Sequence, residues 1–280
     1  MSDAGAARDP RHAERLTDHY AGAPLERFDA LSFTALKTAV PPPSDALGTP
    51  LEAVGQRGKH LLLRFAPATF VVHLMQGGRL KPDPKVARKP RGGIARWTFA
   101  GPGALLLTEA GTQKRAGVWV VSGDPEASEP LAHLGPEADT VDAATLVRLG
   151  AEHRMRLHGF LRDQRIISGI GRRLANEVCH RAKLSPFTST GKLTEEQAAA
   201  IVEAIHHCID TSLAEERARP DMSSSADRPA AVHHRQGQPC PVCGDSVRAI
   251  EYASYTVNYC ATCQTGGKVL ADNTTSKFLK

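Results

Sequence analysis

Residues 153–183 read HRMRLHGFLRDQRIISGIGRRLANEVCHRAK. Apolar residues recur at helical spacing on both sides of Ser168-Gly169-Ile170-Gly171, which predicts helices over 153–167 and 171–182 joined by a glycine-rich turn. The stretch is also basic, with eight Lys or Arg against Asp163 and Glu177, a net of +6.

The texture on either side differs. Helices are predicted over 142–150 and over 194–217, the latter opening at Thr194 with Glu196 and Gln197 in its first turn. Cys179 and Cys208 fall inside predicted helices and read as core thiols. Upstream, LLLRF (61–65), FVVHL (70–74), ARWTF (95–99), ALLLT (104–108) and VWVV (118–121) are short apolar runs separated by Gly and Pro. Five or more such strands point to a β-sandwich or barrel. Asp9-Pro10 starts a short helix running to about Tyr20, with Asp as N-cap and Pro at the first helical position. The fold class is therefore α+β.

Downstream, residues 219–239 (RPDMSSSADRPAAVHHRQGQP) have linker composition. His233 and His234 within them read as surface histidines. The tail that follows carries Cys240-Pro-Val-Cys243 and Cys260-Ala-Thr-Cys263, two close pairs 16 residues apart. Four thiolates so spaced surround one Zn²⁺ tetrahedrally. Gly244 allows the tight knuckle this needs. With four protein ligands the zinc is structural, one per chain. A disulfide pairing of these cysteines is the alternative, which the absence of a secretory signal disfavours.

The whole chain has 280 residues and a net charge of +5, but that charge is unevenly spread. Residues 57–96 hold ten Lys or Arg against Asp83 alone, a net of +9. With the +6 of 153–183, this leaves the remainder at −10. Two basic segments on an acidic chain suggest a nucleic-acid footprint. No run approaches the roughly 20 apolar residues of a membrane span. The polar N-terminus is neither a secretory signal nor a transit peptide. A cytoplasmic, nucleoid-associated monomer is expected.

A strand-rich half, a basic helical half and a four-cysteine finger, in that order, resemble the formamidopyrimidine-DNA glycosylase and endonuclease VIII family of base-excision repair enzymes. The most specific pieces are Arg57-Gly58-Lys59-His60, Val72-His73-Leu74 and Leu134-Gly135-Pro136-Glu137. Leu161-Arg162-Asp163-Gln164 running into Ser168-Gly169-Ile170-Gly171 belongs with them, as do Ala175-Asn176-Glu177, Leu184-Ser185-Pro186 and the ending Cys263-Gln264. Phe33-Thr-Ala-Leu-Lys37, Thr108-Glu-Ala-Gly-Thr-Gln-Lys-Arg115 and Gln264-Thr-Gly-Gly-Lys268 look like an actinobacterial branch. The resemblance covers about Phe28 to the C-terminus. It implies a β-sandwich domain over 1–138, a helix–two-turn–helix domain over 139–220, a linker over 221–238 and a zinc finger over 239–280.

It also implies double-stranded, damaged DNA as partner, lying in a cleft between the two halves. Gly169 and Gly171 would let backbone N–H groups meet a phosphate at a helix start, where the peptide dipoles attract negative charge. Lys59 resembles the family's strand-borne lysine, which touches the phosphate or sugar of the damaged nucleotide. His73, Lys114, Arg115, Arg172 and Tyr255 complete the expected DNA contacts.

The departures fall on catalysis and lesion probing. The family opens Met-Pro-Glu-Leu and attacks C1′ of the flipped nucleotide with its N-terminal proline amine; this chain opens Met1-Ser2-Asp3-Ala4. Either the Ser2 α-amine replaces that proline, with Asp3 as its proton partner, or the catalytic end is lost. Arg172 stands where the family carries Asn, and Tyr255 where it carries a finger arginine. The void-filling Met and Phe align near Gln76 and Ala116, with Arg79, Gln113, Lys114 and Arg115 as nearby substitutes. Two functions follow from the resemblance. One is a DNA glycosylase/AP lyase with an altered nucleophile, and the other a family member that binds damaged or bent DNA without cutting it.

Overall fold

The computed structural model describes residues 10–75, 77–111, 114–219, 229–252 and 255–270. Its contacts divide the chain into two compact units, Met1–His133 and Leu134–Lys280.

Among the described residues of the first unit, helix α1 (Pro10–Tyr20) precedes eight strands: β1 (Leu25–Ala30), β2 (Leu51–Arg57), β3 (His60–Phe65), β4 (Ala68–His73), β5 (Gly78–Pro82), β6 (Gly93–Phe99), β7 (Gly103–Glu109) and β8 (Gly117–Ser122). They form two antiparallel sheets, ordered β1-β6-β7-β5 and β2-β3-β4-β8. The sheets face each other across an aromatic core. Trp97 of β6 meets Phe28 of β1 at 5.2 Å and Phe70 of β4 at 5.8 Å, between ring centroids. Phe65 of β3 stacks on Phe99 of β6. This is the expected sandwich. The five apolar runs lie in β3, β4, β6, β7 and β8, while β1, β2 and β5 are too polar to stand out as runs.

Helix α1 closes one edge, with Tyr20 fully buried and its hydroxyl donating to the Ala104 carbonyl at 3.0 Å. Burial pushes that phenol up to about 12. The helix opens at Pro10 as the sequence suggests, while Asp9 lies outside the described residues.

The second unit contains α2 (Ala143–Glu152), α3 (Leu157–Arg162), α4 (Arg172–Arg181), α5 (Glu195–Ala218), a hairpin of β9 (Val247–Glu251) and β10 (Thr256–Cys260), and the short α6 (Ala261–Thr265). Thr194 and Gln197 cap α5 reciprocally, as its opening residues predict. One expectation is corrected: the helix over 153–167 shrinks to α3. Before it, the Met155 N–H donates to Thr190 Oγ1, so the chain is drawn to the 188–190 segment. After it, the Asp163 carboxylate accepts from the Arg165 N–H and its carbonyl from those of Ile166 and Ile167. Local side-chain bonds thus outcompete helix continuation.

A second correction concerns His233, expected at the surface. It is buried, because residues 229–235 are strapped onto α4. His234 is exposed, as expected.

Candidate nucleic-acid interface and metal centre

The turn between α3 and α4 is held by one side-chain amide. Gln164 Nε2 donates to the carbonyls of Arg162 and Ile170, and its Oε1 accepts from the Gly169 N–H at 3.0 Å. Gly169 has φ +96°, which requires glycine. Its N–H is committed inside the turn, so an anion would be met by the N–H groups further on. Gly171 is the N-cap of α4, and no side chain caps the helix there. Leu134-Gly135-Pro136-Glu137 braces the turn from outside. The Ser168 N–H donates to the Pro136 carbonyl, and the Gly135 N–H to that of Gln164. A Cβ on Gly135 would sit 2.4 Å from the Ile166 carbonyl oxygen, so only glycine fits.

Cations and rings gather at this turn. The Arg162 guanidinium lies 4.0 Å from the Tyr255 ring centroid, and that of Arg172 lies 5.9 Å from it. Tyr252 and His158 both lie nearly parallel to Tyr255. His158 is buried on α3, and desolvation, joined by the Arg162 and Arg172 charges against the opposing Asn176 hydrogen bond, lowers its pKa to about 3. It is a neutral wall, and the positive charge belongs to the arginines.

Helix α4 carries a second face that organises the unit. Arg173 donates to the Pro229 carbonyl and to Ser212 Oγ. Asn176 Nδ2 meets His233 Nδ1 at 2.9 Å. The Glu177 carboxylate accepts the N–H groups of Ala231, Val232 and His233 at 2.7, 3.1 and 2.9 Å. One turn on, His180 Nε2 reaches Cys240 Sγ at 3.3 Å. A single helix thus carries the turn at its head and ties down both strap and finger along its side. Burial lowers the His233 pKa to about 3, helped by His234 and the nearby arginines.

The four expected cysteine ligands converge. Their sulfur atoms all lie within 4.8 Å of one another, with Cys240–Cys263 at 3.9 Å and Cys243–Cys260 at 3.4 Å. A tetrahedral ion with Zn–S bonds of about 2.3 Å needs sulfur atoms about 3.8 Å apart, and the set fits. The knuckle turns at Gly244, φ +78°, whose N–H donates to the Cys240 carbonyl. All six cysteines are free thiols rather than disulfides. Cys179 and Cys208 are not part of the cluster. Burial raises both thiols, Cys208 to about 12.

In the first unit Lys59 sits with Gly58 in the two-residue turn joining β2 to β3, where Arg57 pairs with His60. His73 faces His60 across the strands at 4.6 Å between centroids. Desolvation, with the Lys59 charge adding, lowers His73 to about 4. Its Nδ1 accepts the Met75 N–H, so the neutral ring carries its proton on Nε2. Lys114 Nζ donates to the Glu109 carbonyl, and the buried Glu109 carboxylate accepts the N–H groups of Arg115 and Ala116. Ala116 is buried in the sandwich core, whereas the Arg115 side chain is exposed. Ser2, Asp3, Gln76 and Gln113 lie outside the described residues.

Sequence reading singles out Gly171, Arg172, Tyr255 and the cysteines, and the fold brings these together in one unit. It misses Glu177 and His180 as organisers and Arg162, Tyr252 and His158 as partners of Tyr255. Arg162 registers as charge and within Leu161-Arg162-Asp163-Gln164, with no ring partner; the fixed spacing of Arg173, Asn176, Glu177 and His180 along one helix face is the available signal for the organisers.

A β-sandwich, a basic helix–turn–helix element and a four-sulfur finger define a class of its own. The model of the formamidopyrimidine-DNA glycosylase H2TH domain matches residues 133–222. An uncharacterized formamidopyrimidine-DNA glycosylase-like protein of Mycobacterium tuberculosis is 38% identical over 149 residues, 52% of this chain and 94% of the relative. A formamidopyrimidine-DNA glycosylase of Geobacter sulfurreducens is 28% identical over 251 residues, 85% of this chain and 92% of that one. The crystal structure of the MutM (Fpg) protein from Thermus thermophilus superposes with a TM-score of 0.77 at 25% identity, over 92% of this chain and 97% of its own. The Lactococcus lactis Fpg in complex with DNA containing an abasic site shares the fold, with a TM-score of 0.78 at 18% identity over 90% and 96% of the two chains. The chain belongs to the formamidopyrimidine-DNA glycosylase family, and the mycobacterial relative fits its actinobacterial branch. Among the described residues no helix is long and apolar enough to cross a membrane.

Proposed function

We propose that this protein binds damaged double-stranded DNA in base-excision repair, as a monomer at the nucleoid. The observation that carries the reading is the head of α4, a helix N-terminus without a side-chain cap flanked by Arg162 and Arg172. First-turn backbone N–H groups, the helix dipole and two guanidinium groups together suit a phosphate. Lys59, His73, Lys114 and Arg115 supply further contacts from the sandwich, His73 as a neutral Nε2–H donor. Zinc on Cys240, Cys243, Cys260 and Cys263 holds the finger and supplies no chemistry. The Geobacter sulfurreducens relative, a formamidopyrimidine-DNA glycosylase, and the Lactococcus lactis Fpg in complex with DNA containing an abasic site support the same partner.

For the chemistry, the Ser2 α-amine, exposed when Met1 is removed, attacks C1′ of the damaged nucleotide. The departing base leaves with the bonding pair and takes up a proton. The amine then loses a proton, its lone pair forms the C1′–N double bond as the C1′–O4′ bond breaks, and O4′ takes up a proton, leaving a protonated Schiff base on the opened sugar. Asp3 exchanges these protons, and Lys59 holds the sugar-phosphate. Elimination then cuts the strand. A primary α-amine with a pKa of about 8 is competent for this.

A second reading, binding without cleavage, is favoured by one observation. Ala116, at the position of a family void-filling residue, is buried in the sandwich core and has no reach toward a gap in DNA. Borohydride trapping on abasic DNA decides between the two. The incising reading expects an adduct that survives Lys59→Ala and disappears when the Ser2 amine is blocked. Absence of an adduct from the chain with a free Ser2 amine leaves the binding reading alone.

A further inference from the structure

A cavity of about 640 Å³ lies in the second unit between the start of α3, the 186–189 segment and the finger hairpin. That volume is in the range of small-molecule sites. Phe187, Tyr252, Tyr255 and His158 line it with rings, and Arg154 and Arg156 with charge. The rings are ordered: Tyr252 and Tyr255 lie 4.6 Å apart and His158 and Tyr255 6.0 Å apart, each pair within 13° of parallel. The cations are placed too. Arg156 donates to the Phe187 carbonyl at 3.0 Å and lies 5.1 Å from the Phe187 ring centroid. The Arg154 stem packs so closely on Gly191 that a Cβ there would meet its Cγ at 2.8 Å.

Parallel aromatic rings beside guanidinium groups suit a ligand with a flat π-system and an attached anion. We propose that this cavity is a nucleotide site, taking the base against Tyr252 and Tyr255 and the phosphate at Arg154 and Arg156. The shared chemistry is a nucleoside monophosphate unit, whether a free nucleotide or an unpaired nucleotide of a DNA strand. It adjoins the head of α4 through Tyr255, the ring that Arg162 and Arg172 face there, and differs from duplex binding at that head in taking a base as well as a phosphate.

The full chain, loaded with zinc, is titrated with deoxyadenosine monophosphate, adenosine and inorganic phosphate. It is also titrated with an oligonucleotide duplex carrying one unpaired 2-aminopurine, and with the same duplex fully paired. The nucleotide and the unpaired fluorophore are expected to bind, the latter with quenched emission from stacking. Tyr252→Leu, shown folded by its melting curve, weakens both by about tenfold or more. Arg154→Gln weakens the nucleotide but not adenosine. Binding of the free nucleotide identifies that source; quenching of the unpaired base without it, lost in Tyr252→Leu, identifies the strand. Inorganic phosphate binding as well as the nucleotide, or Tyr252→Leu binding both ligands as the unaltered chain does, overturns the proposal. The fully paired duplex reports on the α4 site alone, so failure of either site is read separately.

Discussion

The Arg162 guanidinium lies 4.0 Å from the centre of the Tyr255 ring, joining the end of α3 to the finger hairpin through a cation–π contact. Where the family pattern puts an arginine, this chain has a ring that gathers arginines from the helical element instead. Tyr255→Ala should lose a contact of about 1–2 kcal/mol and lower the melting temperature of the second unit. Tyr255→Arg sets three guanidinium groups together; it should destabilise the free protein yet steepen the salt dependence of DNA binding by about one phosphate contact.

Glu177 accepts three consecutive backbone N–H groups from the strap. Glu177→Gln removes the charge and turns an NH₂ group toward one of these donors, at a cost of about 3 kcal/mol. Thermal melting should show the loss, and hydrogen exchange should place it at residues 231–233 and the adjoining knuckle.

Gly135 has no room for a side chain, its Cβ position lying 2.4 Å from the Ile166 carbonyl oxygen. Gly135→Ala should displace the turn before α4. Loss of DNA affinity with α4 still helical by circular dichroism is the expected result.

His60 and His158 are buried, with pKa values lowered to about 3 mainly by desolvation. Both are neutral when folded and take up protons at about 6.5 when unfolded. Their contribution is therefore complete above pH 6.5 and is lost as pH falls from there toward 3. Each steepens the decline by up to about 1.4 kcal/mol per pH unit. Denaturant titrations from pH 7 to 4 should show this, and His158→Gln should flatten the slope.

Much of this is legible in the sequence for identifiable reasons. The cysteine spacing is a local constraint that fixes a metal site, and short apolar runs between turn residues, such as 61–65, are buried strands. The Thr194 cap is local as well. The helix over 153–167 reads too long because Thr190, distant in sequence, takes the Met155 N–H at its start, and Asp163 turns the chain at its end. His233 reads as a surface residue because a linker composition says nothing of a carboxylate waiting at Glu177. Arg162 and Tyr255 come from opposite ends of the unit, 93 residues apart, and no periodicity connects them.

The central claim is that the head of α4 binds DNA phosphate. Its most direct test is the affinity for an abasic duplex from low to physiological salt, for the unaltered chain and for Arg172→Ala. With about eight phosphates contacted, log K should fall against log salt with a slope of about −7, and Arg172→Ala should make that slope shallower by about one. A slope near zero, or one that Arg172→Ala leaves unchanged, contradicts the account.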